Sequence, residues 1–258
     1  MLLVCDVGNT NLVFGLYEGR ILKHSFRLGT DPTMTSDEYG VFVKMLIEEE
    51  GYKFSDIDDV IISSVVPEVM HSLDNFAFKF CKKKPYIVGP GIKTGINIKY
   101  TNPSQVGADR IVNATAGYEK YKSNLILIDF GTATTFCSVS KDGDYLGGLI
   151  TPGIKISADA LFLNASKLPK VEIKKPENVV AKNTVSAIQS GIYYGYLGLV
   201  DKIVSQMLLE LGWKEGEYNI IATGGLSQLI VNESIHEIEV DKTLTLEGLR
   251  IIYEKNKQ

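Results

Sequence analysis

Leu2-Leu3-Val4-Cys5-Asp6-Val7-Gly8-Asn9-Thr10 opens the chain, and Leu125-Ile126-Leu127-Ile128-Asp129-Phe130-Gly131-Thr132-Ala133-Thr134-Thr135 repeats its pattern further along. Each apolar run reads as a buried strand. Each strand ends in a carboxylate and passes into a glycine turn rich in hydroxyl and amide side chains. Glycine lets backbone N–H groups approach an anion closely, and the Thr and Asn side chains add donors. A carboxylate beside a polyphosphate holds a cation or its water shell. Two such turns facing each other across a cleft would cradle phosphate and metal, so the pattern points to nucleotide phosphate.

The repeat extends past the turns. After Asp6 come a strand over Asn11 to Tyr17, the turn Glu18-Gly19 and a strand to about Phe26. After Asp129 come Thr134 to Ser140, the turn Asp142-Gly143 and a strand to about Ile150. Asp-Gly between apolar runs is a hairpin signal. We read a duplicated domain, residues 1–120 and 121–258, with the boundary near 118–124.

Beyond these segments, helices and strands alternate. Thr35 and Glu38 form a capping box. The helix that follows sets Tyr39, Val43, Leu46 and Ile47 on one face and stops at Gly51. Val60 to Val65 reads as a buried strand, Pro67 as the first residue of a helix, and Tyr86 to Val88 as a short strand. Asn102-Pro103 opens a helix running to about Tyr121. Segments 153–166 and 184–211 read as helices, Tyr218 to Ala222 as a strand, and Leu246 to Lys255 as a last helix. This order implies an α/β fold, each half a mixed sheet covered on both faces.

Composition narrows the function. The 258 residues are 45% hydrophobic and 22% charged, which suits two modest globular domains. A net charge of −4 argues against generic nucleic-acid or anionic-membrane binding, and Lys82-Lys83-Lys84 reads as a solvated helix end. No apolar stretch spans a bilayer, and a strand begins at once, which argues against a signal peptide. Three scattered cysteines fit a reducing compartment, with Cys5 and Cys137 as small core residues. A cytoplasmic protein is expected. Neither a P-loop, a dinucleotide fingerprint, a protein-kinase signature nor a nucleophile elbow is present. His24, His71 and His236 lack metal-ligand spacing. General base chemistry therefore falls to a carboxylate.

That carboxylate is best sought in Val106-Gly107-Ala108-Asp109-Arg110. Gly107 and Ala108 leave room for a ligand at a helix start, Asp109 can accept a proton, and Arg110 can clamp an anion bidentately. A surface ion pair between Asp109 and Arg110 fits the same residues. Tyr100 fits either a binding position or a packed edge residue. Thr223-Gly224-Gly225 after a strand fits a nucleoside ring or an ordinary strand-to-helix turn.

Together these motifs carry a resemblance. The paired strand–turn–strand starts resemble the acetate-and-sugar-kinase, Hsc70 and actin superfamily, whose fold is two ribonuclease-H-like domains with the active site in the cleft between them. With Gly107-Ala108-Asp109-Arg110, Gly147-Gly148-Leu149-Ile150-Thr151-Pro152-Gly153 and Thr223-Gly224-Gly225, the chain is similar to type III pantothenate kinases over essentially its whole length. The resemblance implies ATP-dependent phosphorylation of pantothenate to 4'-phosphopantothenate, the first step of coenzyme A biosynthesis. It implies that Asp6, Val7, Gly8, Asn9, Thr10, Asn11, Leu12 and Val13 wrap the ATP phosphates, with Asp6 near Mg2+ and Thr132 joining them. It implies a monovalent cation, K+ or NH4+, at Asp129. It implies a pantothenate site lined by Tyr100, Gly107, Ala108, Asp109 and Arg110, with Asp109 the general base. Thr184 would reach the substrate of the neighbouring subunit in a homodimer, and the same Thr184 also suits a helix N-cap. Two other functions stay open, a kinase of a sugar or short acid and a non-catalytic transcriptional accessory factor.

Overall fold

The computed structural model describes residues 1–257. In chain order its elements are β1 (Leu2–Val7), β2 (Asn11–Glu18), β3 (Ile21–Gly29), α1 (Ser36–Glu49), β4 (Asp59–Ser64), α2 (Met70–Phe76), β5 (Tyr86–Ile87), β6 (Asn97–Ile98), α3 (Ala108–Tyr121) and β7 (Asn124–Phe130). There follow β8 (Ala133–Val139), β9 (Asp144–Pro152), α4 (Ile154–Asn164), α5 (Thr184–Leu211), β10 (Tyr218–Gly224), α6 (Ser227–Val231), β11 (Glu239–Val240) and α7 (Leu244–Asn256). No helix among the described residues is long and apolar enough to cross a membrane.

The duplication is written in the strand order. The first sheet runs β3-β2-β1-β4-β5, and the second runs β11-β10-β7-β8-β9-β6. Read in matching order, β1 to β5 correspond to β7, β8, β9, β10 and β11. Antiparallel hairpins link the first three strands of each set, and parallel pairing adds the last two. This is the mixed sheet expected of a ribonuclease-H-like domain.

The described residues divide into two compact units, 1–96, 101–116 and 243–257 in the first and 97–100 and 117–242 in the second. Two segments therefore exchange between the halves. The short β6 pairs with the edge of β9, so residues 97–100 extend the second sheet. The last helix, α7, belongs to the first unit, whereas the sequence alone placed it in the second half. Its apolar positions explain the return: Leu246, Leu249 and Ile252 are buried with Leu2, Val4 and Ile61 of the first sheet.

In the first unit the sheet is covered on both faces. Alternation along β1 sends Leu3, Cys5 and Val7 to one face, where they meet Tyr39, Val43 and Ile47 of α1. Leu2 and Val4 point to the other face, with Val112 of α3 and the apolar stripe of α7. The capping box of α1 is present: Glu38 N donates to Thr35 Oγ1 at 3.3 Å, and Thr35 N donates to Glu38 Oε2 at 2.7 Å. Leu46 is only half-buried, and the helix ends at Glu49, ahead of Gly51 with φ of +84°.

In the second unit Ile126 and Ile128 of β7 and Ile220 and Ala222 of β10 pack against Tyr193, Tyr196, Val200 and Val204 of α5. Tyr196 ties the sheet to the helix, its hydroxyl 2.5 Å from Thr134 Oγ1 and 2.9 Å from the Pro152 carbonyl. All three cysteines are buried and unbridged.

Candidate active site

Asp6 lies at the carboxyl end of β1, opposite Val13 on antiparallel β2 and beside Ser63 on parallel β4. Val7 pairs with Leu12, which leaves Gly8, Asn9, Thr10 and Asn11 as the turn. The Gly8 N–H donates to the Asn11 carbonyl at 3.0 Å and closes it. Thr30, at the end of β3, braces it from outside: its Oγ1 donates to the Gly8 carbonyl at 2.6 Å and its N–H to the Thr10 carbonyl at 3.0 Å. Asn9 and Thr10 are exposed at the tip. The turn is thus a braced loop with its polar tip open to a ligand and its carboxylate below.

The second unit repeats this arrangement with one residue fewer. Asp129 ends β7 between Thr135 of β8 and Thr223 of β10, and Phe130 pairs with Thr134 across Gly131, Thr132 and Ala133. The Gly131 N–H donates to the Ala133 carbonyl at 3.2 Å, and the Gly153 N–H to the Thr132 carbonyl at 3.1 Å. Thr132 is exposed. Beside it, Gly224 has φ of +92°, and a Cβ there would lie 2.6 Å from the Phe130 carbonyl oxygen. Glycine is required at that crossing, which accounts for the first glycine of Thr223-Gly224-Gly225.

Asp109 occupies the first turn of α3. The sequence suggested one helix from Asn102-Pro103 to Tyr121. Instead a short 3-10 turn over Pro103–Gln105 ends at Val106, and α3 starts afresh at Ala108. The break keeps Asp109 among the orphan N–H groups of a new helix end. Its Oδ1 accepts from the Arg110 N–H at 2.8 Å. Gly107 makes room for this carboxylate, since a Cβ there would sit 2.4 Å from Asp109 Oδ1. Burial raises the proton affinity of Asp109 above the usual carboxylate value, against the opposing pull of the Arg110 N–H and guanidinium. Arg110 is 6% exposed, so the surface ion pair allowed by the sequence is excluded.

The first unit brings these pieces to one edge. The Val65 N–H donates to the Val7 carbonyl at 3.0 Å, and Gly107 lies against Val65, 3.8 Å from its Cγ1 to an ideal Cβ position. The Asp6 turn and the start of α3 thus share the carboxyl ends of β1 and β4, where ligands of parallel α/β sheets bind.

The remaining predicted residues lie in the second unit. Tyr100 packs its ring 6.4 Å from that of Tyr145. Thr184 is exposed at the first position of α5, while Asn183 is the N-cap, its side chain accepting from the Ser186 N–H at 2.9 Å. The N-cap reading of Thr184 is therefore corrected by one residue. Thr184 instead lines a cleft of about 750 Å³ with Leu161, Leu168, Lys182, Ile188 and Ile192. What sequence reasoning missed is the end of β4. Ser63-Ser64 follows an apolar run just as Asp6 and Asp129 do, and that signal was readable.

Among the described residues no group of three or more His, Cys, Asp or Glu side chains could hold a metal alone. Each turn offers one carboxylate and open backbone, and neither contains Lys or Arg. This donor set fits a hard cation that completes its shell with phosphate oxygens and water.

Solved structures share this fold. A conserved protein from Campylobacter jejuni, described as a putative Baf family transcriptional activator, superposes with a TM-score of 0.61 at 20% identity, covering 98% of each chain. An activator of 2-hydroxyisocaproyl-CoA dehydratase from Clostridium difficile, solved with bound ADPNP, gives 0.55 at 15% identity over 98% of this chain and 93% of that one. A putative N-acetylglucosamine kinase from Porphyromonas gingivalis gives 0.50 at 13% identity over 99% of each. The profile of type III pantothenate kinase matches residues 2–206. Duplicated sheet, paired carboxylate turns and family profile agree: the chain belongs to the type III pantothenate kinase family.

Proposed function

We propose that the protein transfers the γ-phosphoryl group of ATP to the primary hydroxyl of pantothenate, giving 4'-phosphopantothenate. One observation carries the reading: a partly buried Asp109, raised in proton affinity, folded over Gly107 at the edge that also holds the Asp6 turn. A carboxylate with raised affinity is a better acceptor for the alcohol proton as the new O–P bond forms, a contribution of about 10²–10⁴ in rate. Buried Arg110 would hold the substrate carboxylate, and Gly107 and Ala108 would let the chain of the substrate pass close to the helix start. Tyr100 would supply an aromatic wall.

The Asp6 turn, through Val13, would hold the phosphates by backbone N–H groups and the Asn9 and Thr10 side chains, and Thr132 would add a hydroxyl. Asp6 would hold Mg2+ and Asp129 a monovalent cation. Bound there, the cations neutralise phosphate charge in a transfer whose loose transition state is served mainly by positioning and electrostatics. A monovalent cation fits because no lysine or arginine stands in either turn. Exposed Ile150, Phe162 and Leu163, at 63%, 45% and 75%, support a homodimer, in which Thr184 would complete the partner's substrate site.

The test is phosphoryl transfer from Mg-ATP to pantothenate beside a panel of sugars and short carboxylic acids, in K+, NH4+ and Na+ buffers. We expect pantothenate to be the preferred acceptor, with activity in K+ or NH4+ and little in Na+. A sugar preferred over pantothenate would overturn the substrate, and equal rates in all three salts would overturn the Asp129 cation.

A further inference from the structure

Ser63 stands out among the buried polar groups. It is 0% exposed, and its Oγ has no hydrogen-bond partner. An orphan buried hydroxyl is destabilising, and alanine at the same place would not carry that cost. Its place in the sheet explains why a hydroxyl belongs there. Ser63 is the parallel-strand neighbour of Asp6. Along β1 and β4, Val4 and Ile61 precede this pair on the same face, and both lie in the cluster that holds Val112 of α3. Two residues past Ser63, Val65 Cγ1 lies 3.8 Å from where a Cβ on Gly107 would be. Ser63 is therefore in register with Asp6, on the sheet face that α3 covers.

The second unit makes the same juxtaposition independently. Thr223, 4% exposed, is the parallel-strand neighbour of Asp129. Each repeat thus sets a buried hydroxyl side chain beside the carboxylate that ends its first strand.

We infer that Ser63 is a positioning residue: its hydroxyl donates to the Asp6 carboxylate when Mg-ATP is bound and fixes the orientation in which that carboxylate meets the cation. This rests on the kinase reading for the nucleotide, not for the acceptor. Ser63→Ala removes the donor, and Ser63→Cys keeps nearly the same shape with a weak one. Calorimetric titration of wild type and both variants with Mg-ATP, without pantothenate, reads the effect directly, and thermal unfolding accompanies it. Losing a hydrogen bond to a charged group predicts about 10-fold weaker Mg-ATP binding or more in both variants. The midpoint of unfolding of Ser63→Ala should be equal to or above that of wild type, and the KM for pantothenate unchanged. Mg-ATP binding at wild-type strength in both variants overturns the proposal, as does a lowered unfolding midpoint with binding intact, which would mark a packing role. Wild type that binds Mg-ATP but leaves pantothenate untouched overturns the acceptor and still decides Ser63. Wild type that binds no Mg-ATP overturns both.

Discussion

Gly107 and Asp109 show how a single atom's space fixes where a carboxylate sits. The carboxylate of Asp109 lies where a Cβ on residue 107 would be, with Oδ1 only 2.4 Å from that position. Gly107→Ala should therefore leave the apolar core untouched and push the carboxylate off its place. We expect kcat to fall by about 10²-fold, since misplacement near 1 Å costs that much, with the thermal midpoint little changed. Wild-type kcat in that variant would show that the observed carboxylate position is not the productive one. The residue types at this site were legible in sequence, but their burial was not. Adjacent Asp and Arg describe an exposed ion pair as well as a pocket, and only the packing that leaves Arg110 6% exposed separates the two.

At the scale of elements, the site is made by strand ends. Apolar runs closing in carboxylates and glycine turns were readable because a buried parallel strand needs continuous apolar residues and a phosphate turn needs glycine. The start of α3 was misplaced, because Asn102-Pro103 is a sound helix opening that here yields only one 3-10 turn. The two-residue strands β6 and β11 carry no periodicity to read. Gly224 tests the element scale. Its φ of +92° and its 2.6 Å approach to the Phe130 carbonyl leave no place for a side chain. Gly224→Ala should destabilise by more than about 1 kcal/mol and disturb the Asp129 turn, seen as a lowered denaturation midpoint and a weaker response to K+. A variant of unchanged stability would mean that β10 and β7 can separate at that point without cost.

For the whole molecule, the duplication read from two turns is realised as two sheets of matching strand order, but the chain does not divide at one point. The exchange of residues 97–100 and of α7 was hidden from sequence because amphipathic residues show that a helix is buried without naming the sheet that buries it. The proposed base places an opposing demand on stability. The raised proton affinity of Asp109 means that the folded state favours the protonated acid. Above the raised value the chain holds a partly buried charge, so folding stability falls as pH rises from the unfolded carboxylate value through the folded one. Asp109→Asn should relieve this at neutral pH, with the gain fading in acid below the unfolded value, where Asp109 is protonated in both states.

In the proposed reaction this partly buried carboxylate takes the proton from the pantothenate hydroxyl. The most direct test is kcat of Asp109→Asn for Mg-ATP and pantothenate in K+ buffer, with the thermal midpoint at pH 7 measured on the same preparation. We expect a loss of about 10²–10⁴-fold in kcat from a protein at least as stable as wild type. Near-normal kcat in the folded variant would contradict it.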